Sequence, residues 1–327
     1  MKNKRLITAM VGITALAAAL TGCSADANDA AGGGVSGDKP YIAIVSKGFQ
    51  HQFWQAVKQG AEKAATEFNV TITFDGPDTE SDVDQQIQML QTALDKNPAA
   101  IGFAALDSQA AGPLLQQAKD SNIPVVAFDS GVDSDIPVTT ASTDNKAAAA
   151  EAAKQMADLI GHEGKVALVV HDQTSVTGVD RRDGFIEYMK ANEPKITIVD
   201  TQYGGGDQAK SADLAKAIIA ANPDLKGMYG SNEGSAIGVV QAVKELDMAG
   251  KLTIVGFDSG KAQIDAINDG LMAGAITQNP VGIGYETVKA AVAAIKGEKL
   301  PKTIDTGFYW YDKTNIDSDK IKAVIYE

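Results

Sequence analysis

The segment Val125-Val126-Ala127-Phe128-Asp129-Ser130-Gly131 is written a second time as Ile254-Val255-Gly256-Phe257-Asp258-Ser259-Gly260. Each copy is a short apolar run that stops at an aspartate and continues into Ser-Gly. A parallel strand buried on both faces reads as such an uninterrupted run. Ligands of open α/β sheets bind beyond the carboxyl ends of their strands. Two such ends, one in each half of the chain, predict two similar lobes that face each other, with Asp129 and Asp258 approaching one ligand from opposite sides.

Working outward, the same alternation continues. Apolar runs at 41–46, 70–75, 100–105 and 125–129 predict strands, separated by helical patterns at 52–68, 81–96 and 109–121. On the second of these helices Val83, Ile87, Leu90 and Leu94 share a face, and Ser81 with Asp84 reads as a capping box. The pattern restarts with strands at 166–171, 196–202, 227–230 and 253–258 and helices at 147–160, 179–190, 207–220 and 235–246. Such alternation implies parallel sheets with helices on both faces. The fold class is α/β, two doubly wound lobes. Residues 141–144 lie between the halves, and the aromatic-rich stretch 306–311 reads as a strand at a final crossing between lobes.

The chain opens differently. Lys2, Lys4 and Arg5 precede an apolar run from Leu6 to Leu20 that is too short to span a membrane. Leu20-Thr21-Gly22-Cys23 follows and resembles a bacterial lipobox, so residues 1–22 are expected to be a lipoprotein signal peptide and Cys23 the lipidated first residue of the mature chain. Cys23 is the single cysteine, which excludes an internal disulfide and a catalytic thiol elsewhere. Residues 23–38, rich in Ala, Gly, Ser and Asp, read as a flexible tether of roughly 20 Å root-mean-square length. The net charge is −13, and three units more negative without Lys2, Lys4 and Arg5. This acidity argues against a nucleic-acid partner.

Several chemistries lack their motifs. There is no phosphate-binding loop ending in Lys-Ser/Thr, and Ser46-Lys47-Gly48-Phe49 is no dinucleotide fingerprint. Gly204-Gly205-Gly206-Asp207 reads as a loop before a helix cap. His51, His162 and His171 lack metal-ligand spacing, Asp129, Asp133 and Asp135 do not form a calcium loop, and no Gly-x-Ser-x-Gly elbow marks a nucleophile. No cofactor and no metal are expected. What remains is polar and aromatic residues near strand ends. Phe53 falls in line with Val57, Ala61 and Ala64 and suits the core, whereas Trp54, about 100° further round the helix, favours stacking on a ligand. Arg181 and Arg182, placed in a first helical turn, oppose the helix dipole, so one of them is expected to be held by a carboxylate or a polar ligand. Asn232 and Gln278 follow strands and could equally cap helices. Asp129 and Asp258 share that alternative, and the duplication of their setting raises them above it.

On these residues, from Tyr41 to Asp319, the chain resembles the ribose-type periplasmic binding proteins, the sugar receptors of bacterial ABC importers. The resemblance is carried by Phe53-Trp54, Asn122-Ile123-Pro124-Val125-Val126 leading to Asp129, Thr143-Asp144-Asn145, Arg181 with Asp183-Gly184-Phe185, Ser231-Asn232-Glu233, Val255-Gly256-Phe257-Asp258, and Gln278-Asn279-Pro280. It implies a first lobe of residues 39–143 plus 279–307 and a second of 144–278 plus 308–327, joined by a three-crossing hinge. It also implies a sugar held between them. Phe53 and Trp54 match the aromatic pair, Asp129 the first-lobe carboxylate, and Arg181, Asn232 and Asp258 the second-lobe polar set. Gln278 and Thr143, at hinge crossings, and His51 complete a set of nine expected ligand-binding residues. Departures from the ribose pattern are His51 for an asparagine, Ser130 for an arginine, Ala104 for an asparagine and Gly206 for an aromatic. They leave His51 and Lys47 to supply other contacts, and three of the replacements are smaller, making room for a ring bulkier than ribose.

The expected function is therefore an extracytoplasmic, lipid-anchored, monomeric receptor that delivers a neutral monosaccharide to an ABC importer permease. Three rivals are weighed against it. A sugar-responsive repressor shares this fold but needs a helix-turn-helix where the signal segment and tether stand. An exported carbohydrate-active enzyme could use paired carboxylates, although the same aspartates serve hydroxyl recognition. A furanosyl quorum signal or a polyol would keep the receptor role and change the ligand.

Overall fold

The computed structural model describes residues 39–326; the expected signal peptide, Cys23 and the tether lie outside them. The chain begins with β1 (Tyr41–Val45), α1 (Gln52–Glu67), β2 (Thr71–Asp75), α2 (Val83–Asp95), β3 (Ala100–Phe103), α3 (Gly112–Asp120), β4 (Val125–Phe128) and β5 (Thr139–Ser142). It continues through α4 (Asn145–Ile160), β6 (Gly164–Val170), α5 (Val176–Asn192), β7 (Ile196–Tyr203), α6 (Gln208–Ala221), β8 (Leu225–Gly230), α7 (Glu233–Glu245), β9 (Thr253–Phe257), α8 (Lys261–Asn268) and β10 (Gly274–Gln278). It closes with α9 (Pro280–Ile295), β11 (Thr303–Asp305), β12 (Phe308–Asp312) and the short α10 (Asp319–Lys322).

Two six-stranded sheets result, with the same relative strand order. The first is β2-β1-β3-β4-β5-β11, parallel throughout. The second is β7-β6-β8-β9-β10-β12, parallel except that β12 runs against β10. In each, the chain steps from the first strand to one side and then returns to the other, so a crevice opens beyond the strand ends where the order reverses. The repeated heptad supplies β4 and β9, the fourth strand of each lobe. The chain passes between the sheets after β5, between β10 and α9, and between β11 and β12.

Local sequence explains most boundaries. Asp144, Ser175, Asp207 and Asn232 each accept a backbone N–H of the first turn they precede, in α4, α5, α6 and α7. Helix α4 ends at Gly161 in left-handed backbone. Strands β4 and β9 are buried almost end to end, which is why both read as unbroken apolar runs.

The structure corrects several readings. Helix α2 starts at Val83 with Asp82 before it and no side-chain cap, so Ser81 and Asp84 form no capping box; the Ser81 and Asp82 side chains instead meet Thr79 Oγ1. Ser175 starts α5 earlier than the sequence suggested, which moves Arg181 and Arg182 from the first turn into the second. Residues 139–142 form a strand that the sequence reading did not single out, and the chain crosses between the lobes just after it. Tyr326 extends from the second lobe into the apolar cluster of the first, edge-on to Phe53. Among the described residues no helix is long and apolar enough to cross a membrane.

Candidate functional site

The carboxyl ends of the two sheets face one another across a cavity of about 270 Å³. Its walls come from both lobes. Lys47 follows β1, His51, Phe53 and Trp54 open α1, Glu80 lies between β2 and α2, and Asp129 follows β4. Opposite them, His171 follows β6, Thr177 and Arg181 lie on α5, Asn232 and Asp258 follow β8 and β9, and Gln278 ends β10. Eight of the nine residues singled out from sequence thus meet in one place. Thr143 does not; its hydroxyl donates to Gly307 O at 3.4 Å where the chain crosses between lobes.

Asp258 is the most tightly held of these. Gln278 Nε2 donates to its Oδ1 at 2.7 Å and Glu233 N to its Oδ2 at 2.9 Å. Arg181 Nη1 stands 3.9 Å from Oδ2. Arg181 itself is fixed by donating to Asn145 Oδ1 at 2.8 Å and Ser231 O at 3.0 Å, with its guanidinium over Phe257. Its hydrogen bonds thus go to an amide and a backbone carbonyl, with the Asp258 carboxylate near but not bonded, and its second-turn position means the helix dipole does not demand a partner. Asn232 serves two ends: its oxygen caps α7 through Ser235 N, and its amide nitrogen reaches Glu80 Oε2 at 3.4 Å.

Asp129 contrasts with Asp258. Among the described residues no donor reaches its carboxylate, and burial pushes its pKa up to about 6, against the pull of Lys47 and Arg181. Neither aspartate caps a helix of its own. Both hold left-handed backbone, φ 54° and 81°.

Trp54 is 1% exposed and packs edge-on against Phe53 and Phe128, while Nε1 donates to Glu80 Oε1 at 2.7 Å. It is at once core and cavity wall. Glu80 escaped the sequence reading, because Asp78-Thr79-Glu80-Ser81-Asp82 looks like a solvated acidic loop. Burial opposes its ionisation, but the nearby Lys47 ammonium and the Trp54 N–H help to hold it below the usual carboxylate range. His171 and Thr177 also went unnoticed as wall residues. Burial drives the His171 pKa down to about 3, so it is a neutral imidazole at ordinary pH.

His51 can be assigned a tautomer. Gln50 Oε1 accepts from Glu80 N at 3.2 Å, so its nitrogen must be the atom 3.0 Å from His51 Nε2. His51 Nε2 then accepts, and Nδ1 carries the proton. That Nδ1 and Gln278 Oε1 are buried without a protein partner, one donor and one acceptor on the wall of a polar cavity. The extra room expected at Ser130, Ala104 and Gly206 does not materialise: none of the three lines the cavity. Gln50 and Glu80 occupy the space beside Gly206.

The arrangement offers three carboxylates, a primary amine, a guanidinium, two amides and two aromatic rings around one small cavity. It matches a small molecule dense in hydroxyls, each both donor and acceptor. Residues 42–299 match the family described as periplasmic binding protein domain. The chain is 30% identical over 266 residues to the D-allose-binding periplasmic protein of Escherichia coli strain K12, covering 79% of this chain and 85% of that one. A solute-binding protein of Agrobacterium vitis solved with bound D-fucose superposes with a TM-score of 0.85 at 36% identity, over 88% of this chain and 100% of that one. One from Agrobacterium radiobacter, in complex with D-arabinose, gives 0.86 at 32%, over 89% and 100%. This chain belongs to the type I periplasmic sugar-binding proteins of ABC importers. The members of that family are binding proteins that work outside the cytoplasm.

Proposed function

We propose that this protein captures one neutral monosaccharide between its lobes and hands it, unchanged, to the permease of an ABC importer, acting as a monomer tethered to the outer face of the cell membrane through a lipid on Cys23. The observation that carries the ligand class is the acceptor-rich cavity: Glu80, Asp129 and Asp258 accept hydrogen bonds when ionised and donate none, so the ligand must bring several donors. Phosphorylated or acidic sugars would bring negative charge to three carboxylates. Lys47 and Arg181 do not offset them, since Lys47 is already turned to Asp172, Ser175 and Thr177. His51 Nδ1–H, Gln278 Oε1 and the Asp129 carboxylate remain for ligand hydroxyls, and Phe53 and Trp54 present ring surface to the C–H face of a sugar. His51 in place of an asparagine disfavours ribose as the best ligand.

A thermal-shift screen of pentoses, hexoses, polyols and sugar phosphates tests this, because a ligand that binds only the native state raises its stability by mass action. A neutral monosaccharide is expected to give the largest shift; a polyol or a furanosyl signal in first place would redirect the assignment, and no shift from any of them would refute it. Cys23→Ala should release the protein from the membrane fraction of the cells that make it. If the variant stays as membrane-bound as the parent, the anchor is elsewhere.

A further inference from the structure

We propose that Glu80 is a specificity-determining residue of this site: one oxygen of its carboxylate fixes the indole of Trp54 while the other receives a ligand hydroxyl at the seam between the lobes. The inference rests on the monosaccharide reading above and adds a residue to it.

A carboxylate taken out of water is costly unless it is paired. The Glu80 side chain is buried, 8% exposed, yet no lysine or arginine pairs with it among the described residues; the nearest titratable partner is His51 Nε2, 3.9 Å from Oε2. Lys47 and Arg181 are directed to Asp172 and Asp258. Glu80 is therefore not half of a structural ion pair. What holds it is polar and one-sided. Trp54 Nε1 donates to Oε1 at 2.7 Å, and Gln50 Oε1 accepts from its backbone N–H at 3.2 Å. Among the described residues Oε2 accepts one hydrogen bond, from Asn232 Nδ2 at 3.4 Å, beyond the common range for a charge-assisted bond, with His51 Nε2 further off at 3.9 Å.

That oxygen has several lone-pair sites and sits on the cavity wall. The Glu80 and Asn232 side chains come from opposite lobes, so a hydroxyl donating to Oε2 and accepting from Asn232 Nδ2 would join the lobes through the ligand. The opposite backbone at Gly206 leaves the carboxylate its space: a side chain at 206 would begin 3.1 Å from Oε2. Because Oε1 is engaged by the indole N–H, the reach of Oε2 into the cavity is set by the plane of Trp54, the same ring that faces the ligand. Stacking and hydroxyl recognition are thus one rigid unit in the first lobe.

The test uses the best sugar from the screen and its single-deoxy derivatives, titrated calorimetrically into the parent, Glu80→Gln and Glu80→Asp. A site built to bond a hydroxyl rejects the analogue lacking it strongly. The parent is expected to bind one deoxy derivative on the order of 100-fold more weakly than the full sugar. Both variants should bind the full sugar at least about tenfold more weakly and lose most of that discrimination. In a Trp310→Phe background, which leaves Trp54 as the one tryptophan, Glu80→Gln should also change the emission of Trp54. Folded variants, as judged by their ligand-free melting, that keep the parental ratio between full and deoxy sugars would overturn the proposal and leave the monosaccharide reading intact. Failure of the parent to bind any sugar would overturn both.

Discussion

Asp129 and Asp258 pay for their position in backbone strain. Left-handed conformations cost non-glycine residues of the order of 1–3 kcal/mol, and both aspartates adopt them immediately after a buried strand. Their N–H groups bond back to the neighbouring strand, Asp129 to Ala141 O and Asp258 to Ile276 O, so the chain turns sharply and leaves each carboxylate over the crevice. Repetition made both aspartates legible in the sequence. Glu80 and the wall role of His171 were not, since nothing near them in the chain shows that strand order carries their loops over the cleft. Asp129 also supplies a pH test. Its folded pKa of about 6 lies above the ordinary 3.8, so ionising it costs the folded state, and its contribution falls as pH rises from about 4 to above 6, by up to about 3 kcal/mol. His171, held down to about 3, acts in the opposite sense, so the readout is a difference. Relative to Asp129→Asn, the ligand-free parent should be less stable at pH 7, and the gap should close towards pH 4.5 in urea unfolding. A gap that does not change with pH would contradict the burial of an ionised Asp129.

At the scale of elements, what could be read followed from periodicity. Helix α2 announced itself through one apolar face, and β4 and β9 through unbroken runs. Helix α9 was passed over because its apolar residues are not confined to a stripe: Ile283, Gly284, Val288, Ala290, Ala291 and Val292 are all buried, between α1 and the first sheet. The start of α5 was misread because Thr177 and Gly178 look like loop formers, whereas Ser175 accepts from Gly178 N and makes them the first turn. The α1–α9 contact depends on two glycines. A Cβ on Gly284 would run into the Val57 carbonyl, and one on Gly60 into the Val281 carbonyl. Gly284→Ala should therefore lower stability by about 1–3 kcal/mol, the usual cost of overpacking, despite the better helix propensity of alanine. An unchanged urea midpoint would show that the helices can separate without cost.

Across the whole molecule the two lobes are joined by more than the cavity. Glu233 of the second lobe receives the first N–H groups of α1, from Gln52 and Phe53, while Gln52 Oε1 receives Lys261 N at the start of α8. On the other flank Thr174 O accepts from Ser108 N, and Thr174 Oγ1 donates to Leu106 O. Lys47 spans the gap to Ser175 and Thr177. These bonds belong to a closed arrangement, and hinge motion about the three crossings is the expected way in for a ligand. Small-angle scattering should show the protein compacting when its sugar is added; identical profiles with and without sugar would mean that closure does not depend on ligand.

The central claim is that one ligand is held by both lobes at once, and it is tested most directly by calorimetric titration of the same sugar into the parent, Asp129→Asn and Asp258→Asn. Each substitution keeps the shape of the side chain and removes an acceptor from one lobe only. The account predicts one sugar per chain in the parent and, in each variant, a loss of the order of 30-fold or more, the usual consequence of removing one charged partner from a buried network. Parental affinity in both variants would contradict it.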